Sequence, residues 1–329
     1  MTSILLYIAV LFLGTVGSYH ISRKSGFDQW EQCQDIDGFF SYNPGSECGP
    51  AKWHEKYPSC KSNKQSPIDI NKHHLKCSDY SRIFYRHSDK VDGVFENNGR
   101  TANFAVNENS LNNILVLKGH DQEDGEHCGY VFKELHFHIG RKGSSYGSEH
   151  TINGKGYKGE IHLVHEKLDG CTNENEDGDD QHEDENEKEE IEHGDHKGTL
   201  LAIGVFFNVV ERCGSYADKL ISKYVTKIPN YRDKTAAHVK PSKMLPDDGK
   251  FYTYIGSKTT PVCVPDVLWF VFKNATTICK KNYKVLKRLQ TWEAGNPPLS
   301  KFGNNRPIQR FNVNDVRKNY GNRCRKENE

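Results

Sequence analysis

Apolar and polar positions alternate along most of this chain in short runs of strand length. Asn113–Leu117, Tyr130–Phe137, Glu160–His165, Leu200–Val210, Phe251–Ile255 and Val267–Phe272 are rich in β-branched, aromatic and aliphatic residues, with Gly, Asn and Asp turns between them. That punctuation predicts a sheet-dominated fold with few helices. Asp218–Thr226 is the one segment that reads as a short helix. No internal repeat, coiled-coil heptad or nucleic-acid motif is present.

Two stretches break the alternation. Residues 4–14 (ILLYIAVLFLG) are apolar throughout and are followed by the small residues Gly14, Gly17 and Ser18. The run is short for crossing about 30 Å of hydrocarbon, so residues 1–18 are expected to be a cleaved signal peptide with no stable membrane insertion afterwards. Residues 173–196 hold thirteen acidic side chains against Lys188 alone. The overall net charge of +1 thus divides into about −12 for this run and about +13 for the rest. With Ile191 its only aliphatic residue, the run has no core to form and should be an extended, solvated loop. It lies between two strand-like stretches, so both flanks should share one sheet.

The chemistry is concentrated between residues 134 and 165. His136 and His138 stand at i and i+2 and therefore point to one face of a strand. His162, on a second apolar and alternating segment, can complete a metal site from a neighbouring strand. Three imidazoles with no fourth protein ligand leave one coordination position for water, the shell of a catalytic zinc. An isolated HxH pair is more often two surface histidines on an amphipathic strand; the third histidine and the nearby carboxylates reverse that balance. His165, three residues beyond His162, should face the other way, and it and His150 read as satisfied structural histidines. The ten cysteines (33, 48, 60, 77, 128, 171, 213, 263, 279 and 324) all follow the apolar run. An even count in a secreted chain favours disulfides over thiols, and no CxxC spacing suggests a cysteine metal site. Asn274-Ala275-Thr276 is a glycosylation sequon.

Taken in order, Gln65-Ser66-Pro67-Ile68-Asp69-Ile70, His136-Phe137-His138-Ile139-Gly140, Gly147-Ser148-Glu149-His150-Thr151, Glu160-Ile161-His162-Leu163-Val164-His165, Tyr254-Ile255-Gly256-Ser257-Lys258-Thr259-Thr260-Pro261 and Asn304-Asn305-Arg306-Pro307-Ile308-Gln309 resemble the α-class carbonic anhydrases. The match runs from about Tyr42 to Val313. The resemblance implies a mainly β (α+β) single domain over residues 40–313, built on a large twisted, mostly antiparallel central sheet with short peripheral helices. An amino-terminal extension (19–39) and a basic tail (314–329) would flank it. The implied zinc ligands are His136, His138 and His162, agreeing with the spacing argument, and the implied reaction is hydration of carbon dioxide to bicarbonate by a zinc-activated water. Thr259 would accept a hydrogen bond from that nucleophile and pass its own proton to Glu149. Glu134, Glu160 and Asn304 would support the ligands. Val164, Ala202, Val267, Trp269 and Thr260 would line the substrate pocket, and Cys60 and Cys263 resemble the disulfide pair of secreted members.

Three residues depart from the family pattern. Arg100 occupies the position after Asn97-Asn98-Gly99 where a histidine commonly shuttles protons, and an arginine does not release a proton near neutrality. Turnover limited by proton transfer is therefore expected. Lys258 stands where an apolar pocket residue is usual, and a charge there disfavours dry burial of carbon dioxide unless its stem swings the ammonium to water. Glu134 replaces a frequent glutamine and should make the zinc-bound water slightly more basic.

A signal peptide combined with an acidic insertion resembles the nacrein-like proteins of mollusc shell matrix. That implies secretion into an extracellular matrix, contact with calcium carbonate mineral or other matrix proteins, and weak, many-site calcium binding by residues 173–196. Two other functions were weighed: a catalytically weak matrix protein using the fold as a scaffold, and a zinc hydrolase of unrelated fold. The complete ligand set speaks against the first and the absence of HExxH against the second.

Overall fold

The computed structural model describes residues 40–324 except positions 74, 87–89, 108–113, 120–128, 169–198, 312–314 and 323. The expected signal peptide (1–18), the extension (19–39), the acidic run (173–196) and Cys33, Cys128 and Cys171 lie outside the described residues.

One large mixed sheet dominates. Its main path runs Lys234–Val239, Val91–Asn97, Ala102–Val106, Gly129–Ile139, Gly159–Lys167, Leu200–Val210, Pro265–Phe272, Phe251–Ser257, Arg317–Lys318 and Lys76–Cys77. Most neighbours are antiparallel. Leu200–Val210 runs parallel to both Pro265–Phe272 and Thr276–Cys279, and the edge pieces Arg317–Lys318 and Lys76–Cys77 are also parallel. The flanks of the acidic run, Gly159–Lys167 and Leu200–Val210, are adjacent antiparallel strands of this sheet.

Both faces of the sheet are covered, so its central strands are apolar on both sides. From Leu200–Val210, Leu201, Ile203, Val205 and Phe207 enter a core shared with the two longer helices, while Ala202 and Phe206 join a second cluster with Ile68, Ile70, Tyr252 and Trp269. The strand Gly129–Ile139 changes phase partway. Tyr130 and Phe132, then Leu135, Phe137 and Ile139, all face the first core, because the pairing with Gly159–Lys167 shifts register between Phe132 and Glu134. One extra residue in a ladder reverses every side chain beyond it. That reversal puts Glu134, His136 and His138 together on the opposite face.

The first long helix spans Tyr216–Lys223, two residues earlier than the pattern predicts. Ser215 Oγ accepts from the Asp218 N–H at 3.0 Å, and the Asp218 carboxylate accepts from the Gly214 and Ser215 N–H groups. This reciprocal cap fixes the start of the helix. A second helix, Lys280–Arg288, was not legible as one from the sequence. The described part of the basic tail is not a loose terminus: Arg317–Lys318 pairs with two strands, and Cys324 is bonded to Cys77.

Candidate metal centre

The site sits where three central strands lie side by side. His136 is directly opposite His162 in the ladder, His138 opposite Glu160 and Glu134 opposite Val164. On its other side His162 faces Gly204, and Val164 faces Ala202, which in turn faces Trp269. The register brings the three imidazoles together, with one nitrogen from each lying within 4.8 Å of the others.

In two of the three rings the other nitrogen has its own acceptor, which decides which lone pair is free. His138 Nδ1 donates to the Asn304 carbonyl at 2.6 Å, leaving Nε2, a buried atom with no partner among the described residues. His162 Nε2 donates to Glu160 Oε1 at 2.8 Å, leaving Nδ1. His136 Nδ1 lies 3.5 Å from Glu134 Oε1. Asn304 also clamps the end of its strand: its Oδ1 accepts from the Ile139 N–H, and its Nδ2 donates to the Phe137 and Arg100 carbonyls.

Glu160 is the anchor of this arrangement. Its Oε2 accepts from the backbone N–H groups of Glu149 (2.9 Å) and His150 (2.8 Å), and its Oε1 from His150 Nδ1 (2.7 Å) and His162 Nε2. Burial pushes its carboxyl up, but the attraction and hydrogen bonds of His150 and His162 hold it well below the usual range. The network also fixes the His150 tautomer. The ionised Glu160 can only accept, so His150 carries its proton on Nδ1; its Nε2 therefore accepts from Tyr254 Oη (2.7 Å), which in turn accepts from Ser66 Oγ (2.7 Å). A neutral imidazole has one donor and one acceptor, and this chain of bonds uses both. His150 is therefore a satisfied side chain, as expected.

His165 points to the opposite face, also as expected, and its Nε2 meets the Tyr85 hydroxyl at 2.7 Å. Its Nδ1 meets no partner of normal hydrogen-bond geometry among the described residues, although the Leu163 and Leu201 backbone act on the ring.

Electrostatics favour neutral imidazoles. Burial, above all, lowers the pKa of His138 to about 4 and depresses His136 and His162 as well, with His138 and His162 adding to the depression of His136 and His138 to that of His162. Neutral nitrogen donors are what a metal requires. Three of them, one with an orphaned buried lone pair and no fourth protein ligand, fit a zinc ion with one open position. Two other groupings of metal-binding residue types occur among the described residues. His150, Glu160 and His162 already satisfy one another, and Cys213 and Cys279 flank Asp218 but form a disulfide.

Beside the histidines opens a cleft of about 50 Å³, lined by Glu134, His136, His162, Val164, Leu200, Ala202, Lys258, Thr259, Thr260, Val267 and Trp269. All the expected pocket residues are there, and Leu200 is an addition. Glu149 is buried below it. Burial first of all raises its carboxyl to about 7, against the pull of His162, of the Arg306 N–H donating to Oε1 at 2.8 Å, and of the Thr259 hydroxyl. Arg100 is absent from the lining: its guanidinium lies 4.0 Å from the centre of the Phe40 ring, and its Nε donates to the Phe40 carbonyl. Cys60 and Cys263 are joined, as the resemblance implied. Asn274 is exposed, with its Nδ2 donating to Asp248.

Sequence reasoning missed Gly204. A Cβ there would lie 2.6 Å from Glu160 Oε1, so the glycine makes room for the anchoring carboxylate. It also gave no role to Ser66, Tyr254 or Arg306, although all three lie within the motifs that carried the resemblance.

Comparison with known proteins agrees with the geometry. The family model of eukaryotic-type carbonic anhydrase matches residues 48–320. Carbonic anhydrase 3 of Mus musculus is 28% identical over 279 residues, covering 83% of this chain and 94% of its own. Carbonic anhydrase 1 of the same species is 27% identical over 281 residues (84% and 97%), and its carbonic anhydrase 6 is 29% identical over 248 residues (73% and 69%).

Proposed function

The chain belongs to the eukaryotic-type carbonic anhydrases, zinc-dependent lyases that interconvert carbon dioxide and bicarbonate, and on that premise we propose that His136, His138 and His162 hold the zinc. The observation that supports this most directly is the convergence of three imidazole nitrogens, two of them on rings whose opposite nitrogen is taken by a separate acceptor. Zinc bound there would act as a Lewis acid and bring a coordinated water to a pKa of about 7.

The remaining roles belong to side chains of the chain itself. Glu160, Glu134 and Asn304 orient the ligand rings. Thr259 aligns the attacking oxygen by accepting its hydrogen bond while donating its own proton to Glu149, which the Arg306 N–H holds in place. A dication nearby returns the Glu149 carboxyl toward its ionised form. Val164, Leu200, Ala202, Val267 and Trp269 provide an apolar wall for carbon dioxide. Carbon dioxide hydration followed by pH change, beside elemental analysis for zinc, tests this: about one zinc per chain with measurable hydration is expected, and a correctly oxidised protein lacking both would refute it.

We further propose that the protein is secreted and supplies bicarbonate for calcium carbonate deposition, as in the nacrein-like proteins. The apolar run at 4–14, the disulfides and the acidic run at 173–196 support this. Carboxylates are hard oxygen ligands suited to weak calcium binding. Calorimetric calcium uptake that is unaltered by deleting 173–196 would remove the calcium part of the proposal.

A further inference from the structure

Lys258 and Glu134, read separately from the sequence as departures from the family pattern, line the same cleft. The Lys258 main chain is fixed by its N–H donating to the Val264 carbonyl at 2.8 Å, one residue before Thr259. Its side chain is half-buried, and among the described residues its ammonium has no carboxylate at ion-pair distance. The charge still reaches the site. Lys258 stands in the same lining as Glu134 and His136. The rest of this wall is Val164, Leu200, Ala202, Val267 and Trp269. A lone cation beside low-dielectric walls attracts an anion more strongly than one on an open surface does. It offers nothing to uncharged carbon dioxide.

We propose that Lys258 determines specificity, making the pocket hold small monovalent anions, bicarbonate among them, about tenfold more tightly than an apolar side chain would. Glu134 is the counterweight, since its carboxylate repels the same anions. The balance of these two charges sets how long the product anion stays. This rests on the anhydrase reading and deepens it.

The test uses the zinc-loaded full chain and thiocyanate as the probe anion. Calorimetry gives its Kd at low and high concentrations of a weakly coordinating salt, and steady-state kinetics give KM for bicarbonate and for carbon dioxide. Lys258→Leu should weaken thiocyanate about tenfold and raise the bicarbonate KM similarly, with the salt dependence of the Kd largely lost. Lys258→Arg should keep the parent affinity, and Glu134→Gln should tighten it. Equal thiocyanate affinity in the parent and Lys258→Leu overturns the proposal. So does a parent Kd indifferent to salt, a measurement that needs no variant. A parent without zinc and without hydration would remove the anhydrase reading instead, so the two failures are distinguishable.

Discussion

Arg100 shows how one residue can serve structure where a histidine would serve chemistry. Its guanidinium stacks on Phe40, within a cluster of edge-to-face aromatic rings formed by Phe40, Tyr42 and Trp53. Burial lowers its pKa, but a guanidinium still holds its proton throughout the working pH range. Arg100→His is expected to raise turnover several-fold in weak buffer, and imidazole-type buffers should help the parent more than the variant. Identical turnover in weak buffer would show that proton transfer does not limit the reaction. His165 supports a separate prediction about stability. Burial depresses its pKa from 6.5 to about 3, so the unfolded chain binds the additional proton first. Its contribution is whole above about pH 6.5 and is lost as pH falls toward 3, at up to about 1.4 kcal/mol per pH unit. Denaturant unfolding of the parent and of His165→Phe across that window should give a shallower pH slope for the variant. Parallel slopes would exclude His165 as the source.

Within the strands, Gly204 makes the sharpest case. The position sits opposite His162 on a central strand, and an added methyl would meet Glu160 Oε1 at 2.6 Å and approach Trp269 at 3.7 Å. Glu160 has little room to retreat because four N–H groups hold it. Gly204→Ala should therefore cost about 1–3 kcal/mol in stability and weaken zinc binding roughly 10–100-fold, measured by denaturant unfolding and by competition with a chelator. Zinc affinity equal to the parent's would mean that the carboxylate can shift freely. What the sequence revealed, and what it hid, follows the same division. The strands were legible as short β-rich runs between Gly, Asn and Asp turns, and the His136–His138 pair because its i, i+2 spacing is local, with His162 found on a second alternating segment. The phase change in Gly129–Ile139 was not, since it depends on how Phe132 and Glu134 register against another strand. The meaning of Gly204 is likewise set by side chains on neighbouring strands. Lys280–Arg288 was hidden for a different reason: five of its nine residues are basic, so its apolar stripe is thin, and only Leu286 and Asn282 are buried.

Over the whole molecule, the parts held by burial differ from the parts held by covalent bonds. The central strands carry the proposed ligands, and their side chains fill cores on both faces. The amino-terminal segment has only a small cluster of its own, Phe40, Trp53, Tyr57, Cys60 and Cys263, with Tyr42 against it. Cys60–Cys263 ties that segment to the loop that follows Thr259, across 203 positions of sequence. Arg306 reinforces the junction: Nη2 donates to the Cys60 carbonyl at 3.0 Å and Nη1 to Gln65 and Ser66, while its backbone N–H holds Glu149. The bridge thus joins the outer segment to the residues proposed to orient the nucleophile, without touching the proposed zinc ligands. Closing a loop of that length removes unfolded-state entropy worth about 5 kcal/mol in the chain-entropy model. The double variant Cys60→Ala/Cys263→Ala should lower the guanidinium midpoint accordingly while keeping its zinc, and should lose turnover through the Thr259 loop before it loses metal. An unchanged midpoint would mean that the Arg306 contacts alone secure the segment. Loss of zinc in step with turnover would mean that the ligand strands and this loop are one cooperative unit, not a rigid sheet with a fastened rim.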